Sequence, residues 1–181
     1  MTGAHRPHSL PVTYKEETTT DNTKNDHENT NWSQSVTGIV LHEGKVLLAR
    51  HTYGGGAGKL IVPGGYVNRG ESPEDAVRRE VYEETSITVE PERVVGIRFN
   101  RQDWYVAFAA RYVDGVPTSD GHENSEVLWM DAEEALGRDD VPDLTKKLIE
   151  CTLRGGSFGP VPYVGSTRNG PYTLYGPGGA H

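Results

Sequence analysis

The run REVYEET places Glu80, Glu83 and Glu84 three and four residues apart, directly after Arg79. On a helix these side chains are surface neighbours, and like charges at such spacings cost a few tenths of a kcal/mol per pair. Two chemistries account for the cluster. Water can solvate it as an ordinary acidic face, or a cation can sit on it. Carboxylates with no histidine or cysteine among them are hard oxygen donors, suited to Mg2+ or Mn2+. Magnesium keeps several waters and shares its remaining positions with substrate phosphates. The second chemistry would therefore bring a phosphate-bearing ligand to the helix.

A helix is well specified here. Ser72 can cap it, Pro73 is tolerated at the first helical position, and Glu74 and Asp75 suit the positive dipole end. It should run to about Thr85. At 100° per residue, Ala76, Arg79, Glu80, Glu83 and Glu84 share an arc of roughly 140°. Val77 and Val81 lie beside that arc and can anchor the helix to a sheet. The preceding stretch, PGGYVNRGE, is a glycine-rich turn that can fold Glu71 back toward the acids. Glycine makes such close bends free of steric cost. The carbonyl of Gly65 can approach a bound ion for the same reason.

The surrounding chain alternates between strand and helix patterns. Val36–Leu41 and Lys45–Arg50 read as strands joined by a turn at Glu43-Gly44, and KLIVPGG is a short apolar run. RVVGIRF, DWYVAFAARYV and EVLWMD are further strands. DAEEALGR reads as a short helix, and VPDLTKKLIECTLRGG as a longer one with Pro142 in its first turn and Gly155 past its end. The expectation is an α/β sandwich, in three parts. Residues 1–33 form a flexible polar leader, 34–155 the folded domain, and 156–181 a Gly/Pro/Tyr-rich tail. The tail's composition favours flexibility; the alternative is that its tyrosines dock across a cleft or onto a partner subunit.

Composition limits the partners. The 181 residues are 34% hydrophobic with a net charge of -8. No basic excess exists to pair with nucleic-acid phosphates or an anionic membrane. No apolar run approaches the ~20 residues needed to span a bilayer, and the N-terminus lacks the apolar core of a secretory signal. The one cysteine, Cys151, can form no internal disulfide and reads as a buried helix position. These features point to a cytoplasmic location.

The segment from Gly65 to Ile87 resembles the Nudix box, G-x5-E-x7-R-E-U-x-E-E-x-G-U with U aliphatic. Gly65, Glu71, Arg79, Glu80, Val81, Glu83, Glu84 and Ile87 match at the right spacings. Ser86 replaces the final glycine, just past the helix end, where left-handed backbone is common. GIVLHEGKVLLAR and EVLWMDAEEA are similar to flanking segments of the same superfamily. The resemblance implies an α/β/α sandwich with a mixed β-sheet, and Mg2+- or Mn2+-dependent hydrolysis of a nucleoside diphosphate linked to another moiety, such as a nucleoside triphosphate or ADP-ribose. It also implies a metal set of Gly65, Glu80, Glu83 and Glu84, with Arg79 holding a carboxylate in place. The general base is either a box glutamate or an acid of the later loop, Glu123 or Glu126. Arg50 and Arg98 are candidates for phosphate contact. Trp104 or Tyr105 can stack on a base, only one of them facing the site because neighbours on a strand point to opposite faces. Many relatives are dimers, so a homodimer is implied too. The competing expectation is a catalytically silent Nudix-like domain that binds nucleotide as a sensor.

Overall fold

The computed structural model describes residues 33–99, 103–155, 158–161 and 173–177. All of the expected leader except Ser33 lies outside them. The first two strands, β1 (Ser33–His42) and β2 (Lys45–His51), form a hairpin. Its two-residue turn has both Glu43 (φ 50°) and Gly44 (φ 77°) in the left-handed region, the geometry that matches strand twist. Two short strands follow, β3 (Leu60–Ile61) and β4 (Gly64–Tyr66). Helix α1 spans Pro73–Thr85. The long strands β5 (Thr88–Phe99) and β6 (Asp103–Asp114) form an antiparallel pair. Strand β7 (Asn124–Asp131) leads into α2 (Ala132–Gly137) and α3 (Asp143–Arg154). Strands β8 (Phe158–Val161) and β9 (Thr173–Pro177) come last.

One mixed sheet runs β3-β2-β1-β6-β5-β9-β8, with β4 paired to β1 and β7 paired to β2. Only β1 and β6 run parallel among these pairings. Central strand β6 is buried on both faces. Phe108 and Ala110 meet α1 residues Ala76, Val77 and Val81 in one apolar cluster. Ala107 and Ala109 join Ala135, Leu148 and Ile149 of the other two helices in a second. Burying a side chain of this size contributes about 1.5–3 kcal/mol, so each helix is fixed by a few such contacts. Helix α1 also lies close to the sheet at Gly38, where an added Cβ would stand 2.8 Å from Val81 Cγ2. Helices on both faces of a mixed sheet make the α/β/α sandwich expected from the sequence.

The described parts of the expected tail are strands. β9 pairs with β5, and Leu174 is fully buried in the second cluster. Pro142 is the N-cap of α3 and not a residue of its first turn. Cys151 is buried on α3, and Gly176 packs against it closely enough that an added Cβ would lie 2.8 Å from its Sγ. No helix among the described residues is long and apolar enough to cross a membrane.

Strand pairing also opens the site. Beyond the turn, β1 and β2 share only the pairs His42–Lys45 and Leu41–Val46. β2 then continues beside β7 and β3, while β4 takes the edge of β1 at Ser35–Thr37. The loops and strand ends around this divergence carry most of the chemically interesting residues.

Candidate active site

Helix α1 begins as its sequence dictates. The Ser72 hydroxyl accepts the Asp75 N–H, and Pro73 occupies the first turn. Its far end closes on Ser86 in left-handed backbone (φ 59°), whose N–H donates to the Tyr82 carbonyl. Between these caps the helix turns Glu80 and Glu84 toward β4. Gly65 makes room for Glu80, and Gly64 lets β4 lie close against β1. A Cβ at Gly64 would clash with the Val36 carbonyl and Thr37. A Cβ at Gly65 would fall 2.5 Å from the carboxyl of Glu80. At both positions only glycine leaves room.

A cleft of about 390 Å3 lies over this contact, lined by Gly64, Gly65, Tyr66, Glu80, Glu84 and Glu123 among others. Arg79 organises one side. Its Nε and Nη2 donate to the two oxygens of Glu71, both at 2.8 Å, and Nη1 donates to Glu80 at 2.7 Å and Glu83 at 3.1 Å. Nη2 also donates to the Tyr66 carbonyl at 2.9 Å, which ties the glycine-rich loop to the helix. These bonds hold the Glu71 carboxyl well below the usual range, at about 2, helped by the Asn68 N–H. Burial pushes Glu80 the other way, against the pull of Arg79.

Glu84 is different. It is 4% exposed, and one of its oxygens, Oε2, has no hydrogen-bond partner among the described residues. Burial, and then the charge of Glu80, push its carboxyl up to about 8, opposed by a bond from the Gly64 N–H. An unpartnered buried carboxylate oxygen is costly, so this group is poised to gain either a proton or a cation.

Glu123 faces the same cleft from the β6–β7 loop. The Asp120 carboxylate accepts the N–H groups of His122, Glu123 and Asn124 at 3.0–3.1 Å. The Thr52 N–H and hydroxyl both donate to the Glu123 carbonyl at 2.9 Å. Tyr53 completes the mount, its hydroxyl donating to Glu123 Oε2 at 3.1 Å. Sequence reasoning missed Tyr53, Asn68 and Asp120. Only Asp120 carried a local signal, as the Asx residue of the turn DGHEN.

The other candidates are placed elsewhere. Glu83, 58% exposed at its side chain, leans on Arg79 and does not line the cleft. Arg50 and Glu126 are opposite each other in the β2–β7 register and bond at 2.8 Å. Arg50 further donates to Asp140 and the Gly58 carbonyl. Neither residue lines the cleft, so their charges close on one another and on Asp140. Arg98 pairs with Asp103 at 2.7 Å and lies over the Tyr105 ring. Trp104 is exposed and packs edge-on against Phe99. Tyr105 is the member of the Trp104–Tyr105 pair that faces inward, lining a hollow beside the cleft.

Among the described residues no three carboxylate, imidazole or thiol groups close into a ready cage for a cation. The residues nevertheless suit a hard ion that keeps most of its ligands from water or substrate. The donors are oxygens, Glu84 has an oxygen to spare, and glycine leaves the loop backbone open.

Comparison with known proteins agrees with this geometry. The NUDIX domain model matches residues 32–150. A MutT-like protein of Streptomyces ambofaciens is 36% identical over 108 residues, covering 59% of this chain and 68% of that protein. The NAD-capped RNA hydrolase NudC of Vibrio atlanticus (strain LGP32) is 33% identical over 120 residues, or 63% of this chain. The chain spans only 43% of that relative's length. Among solved structures, the MutT protein from Methanosarcina mazei Go1 superposes with a TM-score of 0.57 at 31% identity, covering 68% of this chain and 94% of that one. With a matched domain over most of the described fold, and Glu80 and Glu84 of the box lining one cleft, the chain belongs to the Nudix hydrolase family.

Proposed function

We propose that this Nudix hydrolase is a Mg2+- or Mn2+-dependent pyrophosphohydrolase. It cleaves the diphosphate of a small nucleoside diphosphate derivative, such as a nucleoside triphosphate or ADP-ribose. The observation that carries this is Glu84, a nearly buried carboxyl beside an acidic cleft with an oxygen left over. Glu80, Glu84 and the Gly65 carbonyl would hold the metal. Glu83 is held by a single 3.1 Å bond and is free to join them. A bound divalent ion there would neutralise the bridging phosphates and lower the pKa of a water.

The remaining work falls to side chains. Arg79 keeps Glu80 oriented and neutralises part of the acid cluster before substrate arrives. Glu123, braced by Tyr53 and the Asp120 turn, faces Glu80 and Glu84 across the cleft and accepts the proton of the attacking water. Glu126 is not given that role, because Arg50 occupies it. The NudC relatives are named for NAD-capped RNA. This chain carries a net charge of -8, which favours a small nucleotide over an extended RNA contact.

Phosphate release from a panel of nucleoside diphosphate compounds with Mg2+ or Mn2+ tests the proposal. Glu84→Gln should lower kcat at least about a hundredfold, and Glu123→Gln by a similar factor with metal binding retained. Glu126→Gln should stay within about twofold of wild type. Nucleotide binding without turnover by the wild-type protein would favour the sensor alternative instead.

A further inference from the structure

The loop between β6 and β7, residues 115–123, is bonded both to α1 and to the mount of Glu123. At its start Gly115 lies against the end of α1. Its backbone (φ 111°) is in a range that favours glycine, and an added Cβ would stand 2.4 Å from the Ser86 carbonyl oxygen and 3.2 Å from Ile87 Cα. The Asp114 carboxylate accepts the Gly115 N–H at 2.8 Å, and the Gly115 carbonyl accepts the Tyr112 hydroxyl at 2.9 Å. Three residues on, the Thr118 N–H donates to the Thr85 carbonyl at 2.9 Å. That carbonyl is one of the last of α1, which a helix cannot satisfy within itself. Thr85 directly follows Glu84.

The second half of the loop belongs to Glu123. The Ser119 hydroxyl donates to the Asn124 carbonyl and accepts the Gly121 N–H at 3.0 Å. The Asp120 carboxylate then gathers the N–H groups of His122, Glu123 and Asn124. Asn124 is fully buried where β7 begins, so this end of the loop is anchored. Thr118 and Ser119 are chain neighbours with different attachments, one to the helix of Glu84 and one to the mount of Glu123. The sheet supplies no equally direct link. Val77 and Val81 hold α1 to it upstream of Glu84, and Thr52 holds the Glu123 backbone from the end of β2. A hydrated ion and a phosphoryl group need a fixed gap between the two acids, and an error of about 1 Å there costs about a hundredfold in rate.

We infer that residues 115–121 are a strut from the end of α1 to Glu123, and that Gly115 and Thr118 are positioning residues that set the gap between Glu84 and Glu123. The inference rests on the hydrolase proposal for the roles of those two acids. Gly115 and Thr118 do not line the cleft, so they act through Glu123 and not on substrate.

Lengthening the strut tests this without removing either attachment. Two glycines inserted between Thr118 and Ser119 of the full chain leave the seat on α1 and the mount of Glu123 intact but uncouple them. Thr118 is exposed, and a surface loop tolerates such an insertion. We expect kcat to fall about tenfold or more, with KM and Mn2+ affinity within about twofold of wild type. In a Glu123→Gln background the insertion should change kcat by less than about twofold, because an aim that no longer matters cannot be lost. Gly115→Ala should act in the same way, since its Cβ needs about 1 Å more room than the Ser86 carbonyl leaves. If Gly115→Ala does not fold, the insertion decides. An unchanged kcat in the insertion variant would overturn the inference, as would an equal further loss in the Glu123→Gln background. Amide hydrogen exchange separates the strut from the hydrolase reading. The insertion should leave the Thr118 amide protected and speed exchange at Glu123 and Asn124 about tenfold. That result with no hydrolysis of any nucleotide by wild type would sink the pyrophosphohydrolase proposal and keep the strut. Normal hydrolysis with kcat and exchange both untouched by the insertion would do the reverse.

Discussion

Arg79 beside the cleft and Arg50 on β2 each gather carboxylates, yet of the two clusters it is the one around Arg79 that leaves a carboxylate unpaired among the described residues. Around Arg50, Glu126 lies at 2.8 Å and Asp140 at 3.1 Å; Arg138 then takes Asp140 at 2.7 Å and Glu134 at 3.3 Å. Two guanidinium groups meet three acids, and every acid has a cation. Around Arg79 one guanidinium serves Glu71, Glu80 and Glu83, while Glu84 stands beside Glu80 with no cationic partner among the described residues. A cluster that only stabilises a fold can be closed at no cost. One that must receive an ion or a phosphate has to stay open, and it carries perturbed groups for that reason.

Removing each arginine tests that difference most severely. Arg79→Ala frees Glu71 and Glu80 to repel each other and releases the Tyr66 carbonyl from the helix. We expect hydrolysis to fall at least about a hundredfold, since misplacing a catalytic group by about 1 Å costs that much. Stability should fall by about 2 kcal/mol, as several charge-assisted bonds are lost together. Arg50→Ala should leave the rate within about twofold and cost about 1 kcal/mol. Steady-state kinetics and urea melts of the two variants read both quantities. An Arg50→Ala protein as slow as Arg79→Ala would erase the distinction.

pH separates the clusters more gently. In the Arg50 cluster, bonds from Arg138 and then Arg50 hold Asp140 well below the usual carboxylate range. Its contribution is present above the unfolded pKa near 4 and is lost as pH falls below it. Glu71 behaves in the same way, with its folded value at about 2. Glu84 has the opposite sign. Its folded value of about 8 lies above the unfolded value, so the folded state binds the proton more tightly. Stability from Glu84 is therefore full below about pH 4.5 and declines as pH rises toward 8. Thermal melts of metal-free protein should show that decline, on the order of 3–4 kcal/mol at most between pH 5 and 8. Glu84→Gln should flatten it and leave the acid limb below pH 4 in place. An identical slope in Glu84→Gln would mean that the buried carboxyl is not its source.

The acids were readable from sequence because helix periodicity alone brings them together. Ser72-Pro73 fixed the start of α1, and 3.6-residue spacing put Glu80 and Glu84 on the face turned to Gly65. The fate of Arg50 and Glu126 was not readable in that way. Both looked available, and both are taken by a cross-strand pairing that joins positions 76 apart in the chain. Tyr53 was hidden for the same reason, since its partner Glu123 lies 70 residues on. The strand parity rule did limit Trp104 and Tyr105 to one inward member, but choosing Tyr105 required the β1–β6 register. β8 and β9 escaped notice because glycine and proline dilute their pattern. What makes β9 a strand is pairing to β5 and the burial of Leu174, neither of which is local.

The smallest expected effect concerns a strained position outside both clusters. Ser86 ends α1 at φ 59° and ψ 19°, where a side chain costs about 1 kcal/mol and glycine costs nothing sterically. Ser86→Gly removes that strain but adds conformational freedom to the unfolded chain, which returns part of the gain. The net should be a stabilisation of about 0.5 kcal/mol, seen as a rise of about 1–2 °C in Tm. Ser86 lines neither hollow, and its backbone bond to Tyr82 survives the substitution. The hydrolysis rate should therefore not change. If the rate rose or fell several-fold while Tm moved as expected, the end of the helix would be helping to aim Glu84. The open cluster would then owe its geometry to backbone tension as well as to Arg79, a dependence the closed cluster around Arg50, tied by side-chain pairs between separate segments, does not have.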